Sequence, residues 1–84
     1  MVAIVFTPEA RDQVAELPRL VRARVRRLLA RLQNWPDVSG AKPLSGGLSG
    51  HYRMRTGDYR LQFRVAGETV IVEKVGHRDR FYGK

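Results

Sequence analysis

The first apolar run, Val2 to Phe6, is β-branched and aromatic and predicts a short strand. Thr7-Pro8-Glu9 follows and predicts a helix start. The threonine hydroxyl can cap free amides, the proline sits where its missing N–H does no harm, and Glu9 and Asp12 favour the positive helix end. Ala10, Val14 and Leu17 recur at helical spacing as a buried stripe, which Pro18 stops or kinks. Beyond it Val21, Val25, Leu28, Leu29 and Leu32 define a second amphipathic helix. That helix should end near Asn34, because Trp35 precedes a proline and is biased away from helical angles. Trp35 itself reads as a packing residue. Residues 37–50 hold four of the eight glycines and predict a loop within one domain.

From His51 onward the period drops to two. Tyr52 and Met54 alternate with Arg53 and Arg55, and Tyr59, Leu61, Phe63 and Val65 alternate with Arg60, Gln62 and Arg64. With Gly57-Asp58 as a two-residue turn, Arg55 faces Arg60, Met54 faces Leu61, Arg53 faces Gln62 and Tyr52 faces Phe63. This register closes the apolar set on itself and crowds the arginines on the other face. Ala66-Gly67-Glu68 predicts a second turn and residues 69–75 a third strand, for which two registers stay open: either Ile71 or Val72 points to the core. The order is β-α-α-β-β-β, an α+β domain over residues 1–84 with two N-terminal helices on one face of an antiparallel sheet.

Charge changes this picture from a small core to a polyanion binder. Sixteen Lys and Arg against eight Asp and Glu give a net charge of +8, and thirteen of the sixteen cations are arginine. Like charges opposite each other in a ladder are destabilising by a few tenths of a kcal/mol, roughly, so an ordinary solvated face would mix signs. The arginines are either a soluble sheet surface or a phosphate-binding concavity. Guanidinium suits the second, being a planar fork matched to phosphate that stays charged near neutrality. The second helix carries Arg19, Arg22, Arg24, Arg26, Arg27 and Arg31 with no acid among them, as a solvated face or a surface for an acidic partner or RNA. No cysteine is present, and His51 and His77 stand in no metal-ligand spacing, which argues against a metal-dependent nuclease. The glycines of 45–50 lack the Gly-Lys-Ser/Thr ending of a phosphate-binding loop. The longest apolar run, Met1 to Phe6, is six residues, so no membrane span or secretory signal is expected and the expected compartment is the cytoplasm.

The second half carries a joint pattern: Lys42-Pro-Leu44 and Gly46, Gly50-His-Tyr-Arg-Met-Arg55, Gly57-Asp-Tyr-Arg-Leu61, then Gly76-His-Arg78 and Phe81-Tyr82. In order and spacing it resembles the RelE branch of the RelE/ParE toxin superfamily, and the order of elements extends that resemblance over the whole chain. The resemblance implies a RelE-like fold and a type II toxin that cuts messenger RNA in the ribosomal A site. It also implies neutralisation by a RelB-like antitoxin, acidic or amphipathic, which would fold over the helices and the arginine face as it binds. The implied chemistry uses no metal and no cofactor: the ribose 2′-OH attacks the adjacent phosphate and leaves a 2′,3′-cyclic phosphate and a 5′-OH. It requires a base, cations for the crowded phosphorane and an acid for the departing oxygen.

By motif position, Arg60 and Arg53 are expected to clamp the phosphate, Arg78 to stabilise the leaving group, and Tyr82 to stack on a base or transfer a proton. Arg55, Arg64 and Lys42 would add phosphate contacts, and Arg22 and Arg26 a partner or ribosome surface. Some relatives carry lysine at the positions of Arg53 and Arg55, so the proton carrier here falls to His77 or Tyr82. His77 has a second reading, as a turn cap that fixes the tail, and His51 reads as structural at a strand entrance. The alternatives to a ribonuclease are a ParE-like inhibitor of DNA gyrase and a non-catalytic basic RNA-binding module.

Overall fold

Thr7 begins the first helix as its position predicts: its Oγ1 accepts from the Ala10 amide at 3.1 Å, with Pro8 in the first turn. In this computed structural model, which describes residues 2–44, 46 and 50–81, strand β1 spans Ala3–Phe6 and helix α1 Pro8–Ala15. Pro18 ends the first helical path and stands at the start of α2, Arg19–Leu32, whose buried side is Val25, Leu28 and Leu32. The strands that follow are β2, Lys42–Pro43, β3, His51–Thr56, β4, Tyr59–Ala66, and β5, Thr69–His77. A single turn, α3, covers Arg78–Phe81.

The β3–β4 register is the one the turn predicts, Thr56 opposite Tyr59 through Tyr52 opposite Phe63, and it continues to His51 opposite Arg64. Gly57 takes φ +58° in that turn, a conformation open to glycine and costly for a side chain with a Cβ. The inward side chains Met54, Leu61, Phe63, Val70, Val72 and Val75 are all buried against Ala10, Leu17, Val25, Leu28 and Leu32. Trp35 closes the core from the helix end, edge-on to Tyr52 at 4.7 Å and to Phe63 at 5.4 Å. Edge-to-face pairs of this kind add about 0.5–1.5 kcal/mol beyond their buried area.

Three features depart from the expected architecture. The sheet has five strands in the order β1-β5-β4-β3-β2, and β1 lies parallel to β5, Phe6 opposite Val72. Thr7 locks that junction, its amide donating to the Val72 carbonyl at 3.0 Å and its hydroxyl to the Glu73 carbonyl at 3.2 Å. Within the expected loop, Lys42 and Pro43 pair with Arg53 and Tyr52 as an added edge. Proline is tolerated there because an edge strand has one side without a neighbour. The β4–β5 ladder contains a bulge, where Phe63 faces Val72 but Gln62 faces Lys74, leaving Glu73 as the extra residue. Val72 is thereby the core residue, and Val75 rather than Lys74 is the next one to point inward.

Candidate nucleic-acid interface

Because paired residues share a face, the ladder arranges the outward side chains in three rungs. The first is His51, Arg64 and Ile71; the second Lys42, Arg53, Gln62 and Lys74; the third Arg55, Arg60 and Gly76. Successive rungs lie about 7 Å apart along the strands. The rungs thus hold six cations, Lys42, Arg53, Arg55, Arg60, Arg64 and Lys74, the last with its Nζ over the Phe81 ring at 4.8 Å, and the helices lie on the other face.

In the third rung neither arginine has a carboxylate partner among the described residues. Arg60 is half-buried, and its Nη1 is removed from solvent without a hydrogen-bond partner among the described residues. A buried guanidinium nitrogen left unpaired costs roughly 1–3 kcal/mol. Across from it Gly76 leaves the space open, since a Cβ at that position would meet nothing within 4 Å. Arg55, opposite Arg60, is exposed, and a small cleft beside it is lined by Gly40, Lys42 and Arg53.

Glu73, the bulge residue, organises the other end. Its Oε1 accepts from His51 Nδ1 at 2.7 Å and from Gln62 Nε2 at 3.2 Å, and its Oε2 lies 3.4 Å from Arg64 Nε. Arg64 is therefore already paired. Sequence reasoning did not place Glu73 on this face, although the consecutive polar pair Glu73-Lys74 between Val72 and Val75 breaks strand alternation and was the available signal.

The remaining candidates are spread around the third rung. The Arg78 amide donates to the Asp58 carbonyl at 2.7 Å, while its Nε stands 3.8 Å from Asp58 Oδ1 and 3.9 Å from Asp79 Oδ1. Those ion pairs are loose and the side chain is exposed. His77 sits on the opposite face from the rungs, opposite Tyr59 and edge-on to its ring at 5.2 Å. There it lines a cleft with Gln13, Leu17, Pro18 and Phe81. Its Nδ1 accepts from the Asp79 amide at 3.1 Å, as expected of a turn cap; Asp79 Oδ2 is farther, at 3.5 Å. Tyr82 lies outside the described residues. On α2, Arg26 is exposed and Arg22 half-buried, both without a carboxylate partner among the described residues. No group of three His, Asp or Glu side chains among the described residues could hold a metal ion, and no helix among them is long and apolar enough to cross a membrane.

Residues 4–82 match the family model described as the ParE toxin of the type II toxin-antitoxin system parDE. The chain belongs to this toxin family. Its individual relatives are RelE-type toxins. Toxin RelG of Mycobacterium tuberculosis is 38% identical over 80 residues, spanning 92% of this chain and 91% of that protein. Toxin RelE3 of Methanocaldococcus jannaschii is 27% identical over 82 residues, 94% and 93% of the two chains. The crystal structure of the toxin-antitoxin complex RelBE2 from Mycobacterium tuberculosis superimposes with a TM-score of 0.77 at 32% identity, over 92% of this toxin and 91% of that chain. The toxin is thus a RelE-type member of the RelE/ParE superfamily and the toxin component of a type II system.

Proposed function

We propose that the toxin is an endoribonuclease that cuts messenger RNA in the ribosomal A site, without a metal ion, and so halts translation in the cytoplasm. The observation that carries this reading is the third rung: a half-buried arginine, one of whose guanidinium nitrogens has no hydrogen-bond partner among the described residues, set among further cations. Attack of a 2′-OH on the adjacent phosphate gathers negative charge on the equatorial oxygens. Fixed guanidinium donors stabilise that charge more than they stabilise the ground state. Arg60 and Arg53 clamp the scissile phosphate, Arg78 stabilises the departing 5′-oxygen, Tyr82 stacks on a base or carries a proton, and Arg55, Arg64 and Lys42 hold the flanking backbone.

The partner that silences the toxin is a RelB-like antitoxin with an acidic or amphipathic segment, as suggested by the RelBE2 toxin-antitoxin complex. Arg22 and Arg26 on α2 offer it, or the ribosome, a separate basic surface. The ParE description of the matching family supports a second reading, inhibition of DNA gyrase.

One experiment separates the two. Purified toxin is added to a translating extract and the message ends are mapped. New 5′-OH ends at A-site codons support the ribonuclease, whereas intact message with accumulated gyrase–DNA cleavage complexes overturns it.

A further inference from the structure

His51 stands on the first rung of the arginine face, one step from Arg53 and the centre of the cationic ladder. Its Nδ1 is 2.7 Å from Glu73 Oε1, and a carboxylate can only accept, so Nδ1 carries the proton. With Nδ1–H held by Glu73, the neutral form of the ring has its acceptor at Nε2, the tautomer a general base requires. The carboxylate is itself fixed, by Gln62 at 3.2 Å, by Arg64 at 3.4 Å and by its place at the bulge. The His51 backbone is held as well, its carbonyl accepting from the Leu44 amide at 2.9 Å. This is the base-and-orienter arrangement of nucleophilic enzymes, on the face where phosphate would sit. His77, the other imidazole, lies across the sheet with Nδ1 already engaged.

We infer that His51, oriented by Glu73, is the group that takes the proton from the attacking 2′-hydroxyl. The inference rests on the ribonuclease reading and deepens it. His51 Nε2 accepts the 2′-OH proton as the oxygen bonds to phosphorus, and the P–O5′ bond breaks. The 5′-oxygen leaves as a hydroxyl after protonation, with water as the ultimate donor, and His51 later returns its proton to solvent. Arg53 is one rung, about 7 Å, from His51, and Arg60 two rungs, about 14 Å, so the inference seats the scissile phosphate over the second rung, between His51 and Arg60. The charged groups around His51 are Glu73 from β5, Arg64 from β4, Arg53 on its own strand and, beyond it, Lys42 from β2.

The test is single-turnover cleavage of message on stalled ribosomes across a pH series, with wild type, His51→Ala, His51→Gln and Glu73→Gln. Thermal melts and antitoxin binding check that each variant is folded, and the glutamine variant keeps the test open where alanine does not fold. Removing a general base costs about 10²–10⁴-fold. Both His51 variants should therefore fall at least a hundredfold and lose the rise in rate with pH. Added imidazole should restore part of the activity of His51→Ala, and Glu73→Gln should fall about tenfold with the pH rise displaced. If wild type cleaves and a folded His51 variant cleaves within threefold of it with the same pH profile, the assignment is overturned while the ribonuclease reading stands. If wild type leaves the message intact, both fall.

Discussion

The toxin carries two arginine-rich regions that differ in how they hold the same side chain. On α2 every arginine but the half-buried Arg22 is exposed; among the described residues Arg31 is anchored, by a 2.7 Å bond to the Ser39 carbonyl, and no acid lies on the helix. On the sheet, arginines are fixed in register, Arg53 and Arg60 are half-buried, and Glu73 engages one end of the array. Exposed charge acts over a Debye length of about 8–10 Å and fades with salt, whereas fixed and partly desolvated charge acts on one bound group. The helix is suited to attraction and the sheet to chemistry.

The largest expected effect tests the sheet side of that contrast. Arg60→Ala should lower cleavage at least about tenfold, toward a hundredfold, with message affinity nearly kept, because a transition-state donor is removed. Single-turnover rates at saturating ribosome decide it, and a wild-type rate would remove Arg60 from the site. Next, Gly76→Glu places a carboxylate in the open space across from Arg60 and should lower the rate by about tenfold, with little change in melting temperature. A large loss of stability would show that the space is needed for packing.

Charge reversal at Arg22 and Arg26 should act in the other way. Ribosome or antitoxin affinity should drop, and for the ribosome the salt slope should shrink by about one for each phosphate no longer neutralised, while the saturated cleavage rate holds. A lowered saturated rate with unchanged affinity would erase the distinction between the two regions. The smallest effect is on stability: Arg55→Gln relieves the like-charge pair with Arg60 and should raise the unfolding free energy by a few tenths of a kcal/mol, roughly, by denaturant titration.

Much of the architecture was legible because local pattern and long-range packing agreed. The Gly57-Asp58 turn set the β3–β4 register, since only that pairing put Tyr52, Met54, Leu61 and Phe63 together, and the α2 ridge was legible from its spacing. The parallel seat of β1 beside β5 was not, because nothing near Val2–Phe6 records a partner 66 positions further on. Lys42-Pro43 was too short to show a period.

The site suffered from one extra residue. In an unbroken strand with Val72 inward, His77 would share the arginine face; the bulge at Glu73 turns it to the helix side and gives the rungs their acidic member. Arg53, Arg55, Arg60 and Arg64 were legible on a common face because the first hairpin has no bulge. That His51 would bond Glu73 could not be read, since it depends on a ladder whose register the sequence left open.

The β1–β5 junction has a bearing on how such a toxin is made. Thr7 bonds to carbonyls 65 and 66 residues along the chain, so β1 cannot dock while the polypeptide emerging from the ribosome still lacks β5. Pairings of such sequence separation form late and slowly. The bulge that seats Glu73 against His51 belongs to the same late strand. A nascent copy can therefore pair the arginines of β3 and β4 early, but it holds neither a docked β1 nor the Glu73–His51 contact until β5 has emerged.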